Sequence, residues 1–130
     1  MAFLPNIYES NAVERKQYLD TVMAAAKSNR SQPFTFFWLQ AGDQLDLERS
    51  LNLGFGFPAV IAVSPNKSVF ATMTASFNKE NVNSFLTKVL TGSAGVGSLP
   101  ATGFTVKKVS KWDGKDAEPI VEDYDYEDEL

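Results

Sequence analysis

Side chains that could perform acid–base chemistry occur as closely spaced carboxylates, at Asp43 and Asp46 and again at Glu122 and Asp123. A catalytic pair needs one carboxyl group whose pKa is raised by apolar surroundings, and neither pair has such surroundings in the sequence. The 130 residues include no cysteine and no histidine, which excludes a thiol nucleophile, a disulfide, an imidazole base and the usual zinc sites. We therefore expect no catalytic residue, no resident cofactor and no enzyme activity in this chain itself.

Charge is divided unevenly along the chain. The whole chain has 12 basic and 16 acidic residues, but residues 116–130 carry eight of the acids and none of the bases, so the preceding part is net positive at +4. The bases are scattered and only Lys107 and Lys108 are adjacent, which argues against a nucleic-acid partner. No apolar run approaches the length that a bilayer span requires, so no membrane partner is expected either.

The acidic tail, residues 116–130, is predicted to be disordered, because repelling carboxylates cannot bury enough apolar surface to offset the cost of ordering. Weak calcium binding is one hypothesis for it, although it lacks the glycine turn and ligand spacing of an EF-hand; a merely solvated tail is the other. Its last four residues resemble the Lys-Asp-Glu-Leu retention signal, with glutamate in place of lysine. They are Glu127, Asp128, Glu129 and Leu130.

Two short patterns, NRS at Asn29 and NKS at Asn66, match the acceptor for N-linked glycosylation. Both are predicted to lie at surface turns, so both are candidate modification sites. Patterns of three residues also arise by chance, which leaves the alternative that neither is modified.

The elements that position these residues begin with a helix predicted at about 12–28. Asn11, followed three positions later by Glu14, fits a capping box in which asparagine replaces serine or threonine. Apolar residues repeat at helical spacing and are expected to form the buried stripe. They are Leu19, Val22, Met23 and Ala26.

A second helix is predicted in GDQLDLERSLNLG, with Asp43 as its cap, Gly54 as its terminating residue, and Leu47 and Leu51 on its buried face. Four apolar runs predict strands, and the first of them is AFLP at residues 2–5. PFTFFWLQ precedes that helix and reads as a strand buried on both faces, whereas PAVIAV and SVFATMTASF follow it and can pair across the turn SPNK.

The stretch NKENVNSFLTKVL predicts a closing amphipathic helix. Its apolar face comprises Val82, Phe85, Leu86 and Val89. Helices that alternate with apolar strands, followed by a hairpin, predict a mixed α/β sheet flanked by helices over residues 1–92. Residues 93–103 are rich in glycine and serine and predict a flexible linker, whereas 104–115 are expected to dock back on the domain or to form an edge strand.

The stretch LNLGFGFPAVIAV, together with FLPNI, SFNKENVNSFLTKVLTG and WDGKD before an acidic tail, resembles the carboxy-terminal, non-catalytic domain of A6-type protein disulfide isomerases. That resemblance implies a thioredoxin-like fold in which the Phe57–Pro58 bond is cis. Where a redox-active relative has Cys-x-x-Cys, this chain has PNIYESN. The resemblance also implies that the usual first strand and helix of the fold are absent.

On this resemblance, Tyr8, Phe55, Phe57 and Pro58 should lie together at the position of the lost redox site. They are our candidate residues for binding unfolded clients or a partner, because aromatic side chains give a large contact area at low entropic cost. The alternative is that these residues only pack the core and the loop, and that the glycines permit the turn.

The resemblance implies a binding domain of an isomerase in the lumen of the endoplasmic reticulum, in a parent protein that is itself an enzyme. Its implied partners are unfolded clients, the lumenal chaperone BiP and catalytic domains of the same polypeptide. Another hypothesis is a structural spacer with a low-affinity calcium tail. A third, a redox enzyme, conflicts with the absence of cysteine.

Overall fold

The computed structural model describes residues 1–53 and 56–118. In chain order, the elements are β1 (Ala2–Leu4), a 3-10 turn (Ile7–Glu9), α1 (Ala12–Ser28), β2 (Trp38–Gln40), α2 (Leu45–Ser50), β3 (Ala59–Ser64), β4 (Val69–Thr72), α3 (Lys79–Thr91) and β5 (Gly97–Ser98). None of the helices in these residues is both long enough and apolar enough to cross a bilayer.

The strands form one mixed sheet in the order β2-β1-β3-β4-β5. β1 is parallel to β2 and antiparallel to β3, so that Phe3 lies between Leu39 on one side and Ala59 on the other. The β3–β4 and β4–β5 pairs are antiparallel. The predicted mixed α/β sheet flanked by helices is therefore confirmed.

Helices cover both faces of the sheet because β3 is apolar from Ala59 to Val63 and successive side chains point to opposite faces. The α2 side of the core contains Phe3, Leu39, Leu47, Leu51, Ala59, Ile61, Phe70 and Leu99. The side formed by α1 and α3 contains Ala25, Val60, Ala71, Met73, Val82, Phe85 and Leu86. The predicted buried faces of the second and third helices are correct for Leu47, Leu51, Val82, Phe85 and Leu86.

Helix α1 has the predicted bounds, and the Asn11 side chain accepts a hydrogen bond from the Glu14 N–H at 2.9 Å, as a cap should. The predicted stripe is wrong at Met23, which is 57% exposed. The buried face instead includes Ala25 and Arg15. The error arises because the prediction counts only apolar residues and so leaves out Arg15. When Arg15 is counted as buried, the face of the helix that points to the core shifts away from Met23.

The predicted strand at PFTFFWLQ is too long, since only Trp38–Gln40 pair with a neighbouring strand. Phe34 and Phe36 precede it, meet edge to face with ring centroids 6.2 Å apart, and pack against the α1 and α3 side of the core. Phe37 is partly exposed. The aromatic run thus contributes both a paired strand and side chains that pack beside the sheet. The sequence pattern alone does not distinguish these two roles.

Asp43 does not cap α2, contrary to the prediction. Its carboxylate accepts hydrogen bonds from Gln40 Nε2 at 3.1 and 3.2 Å, and the residue before the helix is Gln44, whose side chain makes no capping bond. The Gln44 side chain instead bonds a distant backbone segment, described below. Gly54, the predicted terminating residue, lies outside the described residues.

Part of the stretch predicted as a flexible linker, residues 93–103, is a strand. Gly97 pairs with Phe70 of β4, and the Leu99 N–H donates to the Ser68 carbonyl at 2.8 Å. Leu99 is buried in the α2 side of the core. Composition favours a linker here because glycine has little strand propensity, but the close approach of the Phe70 ring requires a residue without a side chain.

Replacing Gly97 with alanine is expected to lower the free energy of unfolding by about 1–3 kcal/mol. An added Cβ would lie 2.8 Å from Cζ of the buried Phe70 ring, so either that ring or β5 must move. Gly95→Ala is the matched control, since its Cβ would meet nothing within 4 Å. Urea denaturation of both variants measures the difference, and equal midpoints would contradict the contact.

Residues 104–118, which we call the strap, lie against the domain without forming a helix or a strand. The Lys107 N–H donates to Gln44 Oε1 at 2.7 Å, and Gln44 Nε2 donates to the Lys107 carbonyl at 2.8 Å. Further along, the Asp116 carboxylate accepts a hydrogen bond from the Ala12 N–H at the start of α1. The strap is thus attached to the first residues of two helices.

Stability of the 130-residue polypeptide should rise between pH 6 and pH 8. Burial lowers the pKa of the Met1 amino group from 8.0 to about 6, although the ammonium donates to the Ile61 carbonyl at 2.7 Å. In that window the unfolded chain binds more protons, so the stabilisation is complete above pH 8 and is lost as the pH falls to 6. The expected change is about 3 kcal/mol, at 1.36 kcal/mol per pKa unit.

The measurement is urea denaturation of the synthetic polypeptide at several pH values. No histidine titrates in the same window, which leaves the signal clean. The Nα-acetylated polypeptide serves as control and should show a flat profile; the same slope in both forms would assign the effect to another group.

Candidate functional site

The loop from Pro5 to Asn11 occupies the end of the sheet where β1 enters α1. Asn6 Oδ1 accepts from the Tyr8 N–H at 3.0 Å and holds the loop in a single 3-10 turn. The Phe57–Pro58 peptide bond, which is cis, lies at the same end because the next residue, Ala59, pairs with Phe3. This is where the resemblance puts a Cys-x-x-Cys pair opposite a proline, and without sulfur no dithiol exchange can occur there.

The residues predicted to form a groove at this end differ in exposure. Tyr8 is 63% exposed, whereas the Phe57 ring packs against the α2 side of the core, with its centroid 6.4 Å from that of Phe3. Pro58 is partly buried. Phe55 lies outside the described residues. The two placed aromatic rings thus have different surroundings: Tyr8 faces solvent and Phe57 faces the core.

The candidate glycosylation sites also differ from each other. Asn66 is exposed in the turn between β3 and β4. Asn29 ends α1, and its Nδ2 donates both to the Ala25 carbonyl and to Asn83 Oδ1, each at 2.8 Å. A glycan on Asn29 would remove one of these donors. The candidate retention signal, Glu127–Leu130, lies outside the described residues.

The most unusual buried group is one that the sequence analysis did not select, Arg15. Its side chain is only 2% exposed, and the guanidinium carbon lies 5.2 Å from the centroid of the Trp38 ring and 5.1 Å from that of Trp112. The two rings meet edge to face at 86° with centroids 6.5 Å apart. Cation–π attraction of this kind is strongest with tryptophan.

Hydrogen bonds fix the guanidinium at one edge. Arg15 Nη2 donates to the Pro5 carbonyl at 2.7 Å and to Gln40 Oε1 at 2.8 Å, and Gln40 in turn donates to Asp43. Arg15 Nε is buried and has no hydrogen-bond partner within residues 1–53 and 56–118. Burial lowers the pKa of Arg15, and the nearby Asp43 charge opposes that shift, so the side chain stays protonated.

A cavity of about 660 Å³ adjoins this group, between α1, the end of β2 and the strap. We call it the Arg15 cavity. It is lined by Ile7, Tyr8, Arg15, Trp38, Leu39, Gln40, Asp43, Gln44, Val109–Asp113 and Lys115–Glu118. Both tryptophans of the chain line it. The arrangement offers a planar buried cation, two aromatic rings and amide groups, which suits the binding of a polar group rather than covalent catalysis.

Sequence reasoning missed this site because an arginine in an amphipathic helix normally faces solvent and because the site joins residues about 100 positions apart. The available signal was that both tryptophans, Trp38 and Trp112, fall in segments predicted to pack on the domain. No group of three or more His, Cys, Asp or Glu residues in the described part of the chain could hold a metal ion.

Comparison with known proteins agrees with the fold. The family described as PDIA6-like, C-terminal thioredoxin-like domain matches residues 1–94. The chain is 37% identical to Protein disulfide-isomerase 2-3 of Arabidopsis thaliana over 132 residues, which cover 100% of this chain and 30% of the relative. It is 34% identical to Protein disulfide-isomerase A6 of Mus musculus over 135 residues and 32% identical to that of Homo sapiens over 131, in each case covering 98% of this chain and 30% of the relative.

The chain therefore spans about three tenths of the length of these relatives. The match begins at residue 1 and includes the loop before α1, the Phe57–Pro58 bond and the closing helix. Because the family match covers residues 1–94, more than half of the chain, this chain belongs to the PDIA6-like, C-terminal thioredoxin-like domain family.

Proposed function

We propose that this chain is the redox-inactive, thioredoxin-like domain of a protein disulfide isomerase of the endoplasmic reticulum. Its role is to bind clients or a chaperone partner while other domains of a full-length protein form and isomerise disulfides. The observation that carries the proposal is the loop 5–11: it lies between β1 and α1 at the end of the sheet where Pro58 precedes β3, and it contains no sulfur. The relatives are named as disulfide isomerases, which supports a parent enzyme.

Binding is the role that this end of the domain can still perform. Tyr8 presents an exposed ring, and Pro58 immediately precedes β3 at the same end of the sheet. An exposed tyrosine offers apolar contact area together with a hydroxyl that can donate a hydrogen bond, a combination common at interfaces. The proposed partners are unfolded clients, the chaperone BiP, and catalytic domains of the same polypeptide.

NMR titration of the ¹⁵N-labelled chain with a reduced, carboxymethylated unfolded protein tests client binding. We expect chemical-shift changes at the loop 5–11 and next to Pro58, and a dissociation constant at least threefold weaker for Tyr8→Ala. Val96→Ala is the control, since Val96 is equally exposed but belongs to the loop before β5. No shift near Tyr8 and Pro58 at millimolar client would count against binding there.

Reduction of insulin by this chain tests the loss of redox chemistry. Because dithiol exchange requires a thiolate, turnover should equal that of buffer. Measurable catalysis by the purified chain would overturn the assignment of a non-catalytic role.

A further inference from the structure

The Arg15 guanidinium carries a buried positive charge, and no carboxylate of the described residues forms an ion pair with it. Within residues 1–53 and 56–118, the ion pair with N···O below 4.0 Å is Arg49–Asp46, which is exposed. Arg15 is held instead by two neutral acceptors, and its Nε has no partner. A buried cation is costly unless a counter-charge and hydrogen bonds compensate it. An anion in the cavity that accepts a hydrogen bond from Nε would supply both.

Three of the four carboxylates that line the Arg15 cavity accept hydrogen bonds elsewhere, and the fourth is Glu118. Asp43 accepts from Gln40, Asp113 from the Lys115 N–H at 2.9 Å, and Asp116 from the first turn of α1. The lining also includes Lys111 and Lys115, so acids and bases are nearly balanced there. Selectivity for an anion would therefore come from the directed donors of Arg15 and not from the overall potential.

We propose that the Arg15 cavity binds the carboxylate group of an acidic peptide segment, which accepts a hydrogen bond from Arg15 Nε while Trp38 and Trp112 flank its side chain. The volume of about 660 Å³ exceeds what a single small anion fills and suits a short peptide. Since Arg15 is 2% exposed, Trp112 must shift to admit the ligand. Trp112 belongs to the strap, which has no regular secondary structure to resist that shift.

Acidic peptide segments have two possible sources, a separate protein or the chain's own residues 122–129 beyond the strap. The chemistry at Arg15 is the same for both. If the segment belongs to a separate protein, the proposal rests on the proposed binding function, because that protein would then be a client or a partner. A small peptide probe keeps the two tests distinct, because it contains none of the apolar sequence of an unfolded client.

The experiment uses the full chain and a full-length variant with a neutral tail. That variant carries E122Q, D123N, D125N, E127Q, D128N and E129Q. The probes are the blocked peptide Ac-Ala-Glu-Asp-Glu-Asp-Ala-NH₂ and its Gln/Asn counterpart. The readouts are the Arg15 Nε–H cross-peak and tryptophan fluorescence, which reports on this cavity alone because both tryptophans line it.

We expect the acidic peptide to move the Arg15 Nε–H cross-peak of the neutral-tail variant and to change its fluorescence saturably. A cross-peak that already differs between wild type and neutral-tail variant would also support the site, with the tail as its occupant. An unmoved cross-peak in every arm would overturn the proposal, and so would an equal response to the Gln/Asn peptide.

Substitution of the arginine gives a second measure. Arg15→Lys keeps the charge but loses the planar donors, and it should raise the dissociation constant of the acidic peptide at least tenfold. Arg49→Lys is the matched control, since its side chain is 76% exposed, and should bind as wild type does. Equal affinity in both variants would contradict a role for Arg15. Because the cross-peak is read in chains that retain Arg15, a failure of Arg15→Lys to fold would not remove the decisive measurement.

Discussion

Replacing Phe3 with alanine is expected to lower the free energy of unfolding by about 3–5 kcal/mol. Phe3 is 0% exposed and lies in the central part of the sheet, paired with both Leu39 and Ala59. Its ring also supports Phe57 at 6.4 Å. Truncation removes apolar contacts from the α2 side of the core and leaves a cavity that strands on both sides prevent from closing.

The matched control for Phe3→Ala is Phe37→Ala, which removes the same atoms from a side chain that is 40% exposed. Phe37→Ala should lower the free energy of unfolding by less than about 2 kcal/mol, because a substantial part of its side chain is already in contact with solvent. Urea denaturation followed by circular dichroism measures both. If the two variants lost the same stability, the position of Phe3 at the centre of the packing would be wrong.

Replacing Arg15 with alanine is expected to lower the free energy of unfolding by about 2–4 kcal/mol. The substitution removes two hydrogen bonds from a charged donor, each worth about 1.5–3 kcal/mol. It also removes the side chain that packs against the rings of Trp38 and Trp112. Relief of the buried charge offsets part of this loss. Arg15→Met restores most of the volume without the charge, and it should recover at least half of the stability lost in Arg15→Ala.

Arg49→Ala is the control for charge removal. Its ion pair with Asp46 is exposed on both sides, and pairs of that kind contribute at most about 1 kcal/mol. Urea denaturation at two salt concentrations compares the variants. A loss in Arg15→Ala no larger than that in Arg49→Ala would mean that the arginine between the two rings does not stabilise the fold.

The sequence predicts well those features that depend on local signals. The bounds of α1 follow from its Asn11 cap, the β3–β4 hairpin from two apolar runs around a turn, and the buried face of α3 from residues at 3.6-residue spacing. Each of these depends on neighbours in the chain, whose physical preferences are visible in the sequence. The resemblance to a family adds the thioredoxin-like fold.

Features that depend on distant contacts could not be predicted in this way. Gly97 and Leu99 become strand and core only because β4 presents an edge to them, and Arg15 turns inward only because Trp112 covers it. Asp43 bonds Gln40 rather than its own helix. In each case a tertiary partner outweighs the local preference of the residue, and composition alone cannot identify that partner.

The strap also determines how much of the chain has to fold together. The family match ends at residue 94, but Leu99 is buried beyond it, and Gln44 and the first turn of α1 find their partners beyond residue 104. A polypeptide cut at the end of the match would expose Trp38 and leave Gln44 without its two hydrogen bonds. The family match thus ends at residue 94, whereas packing contacts with the domain continue as far as Asp116.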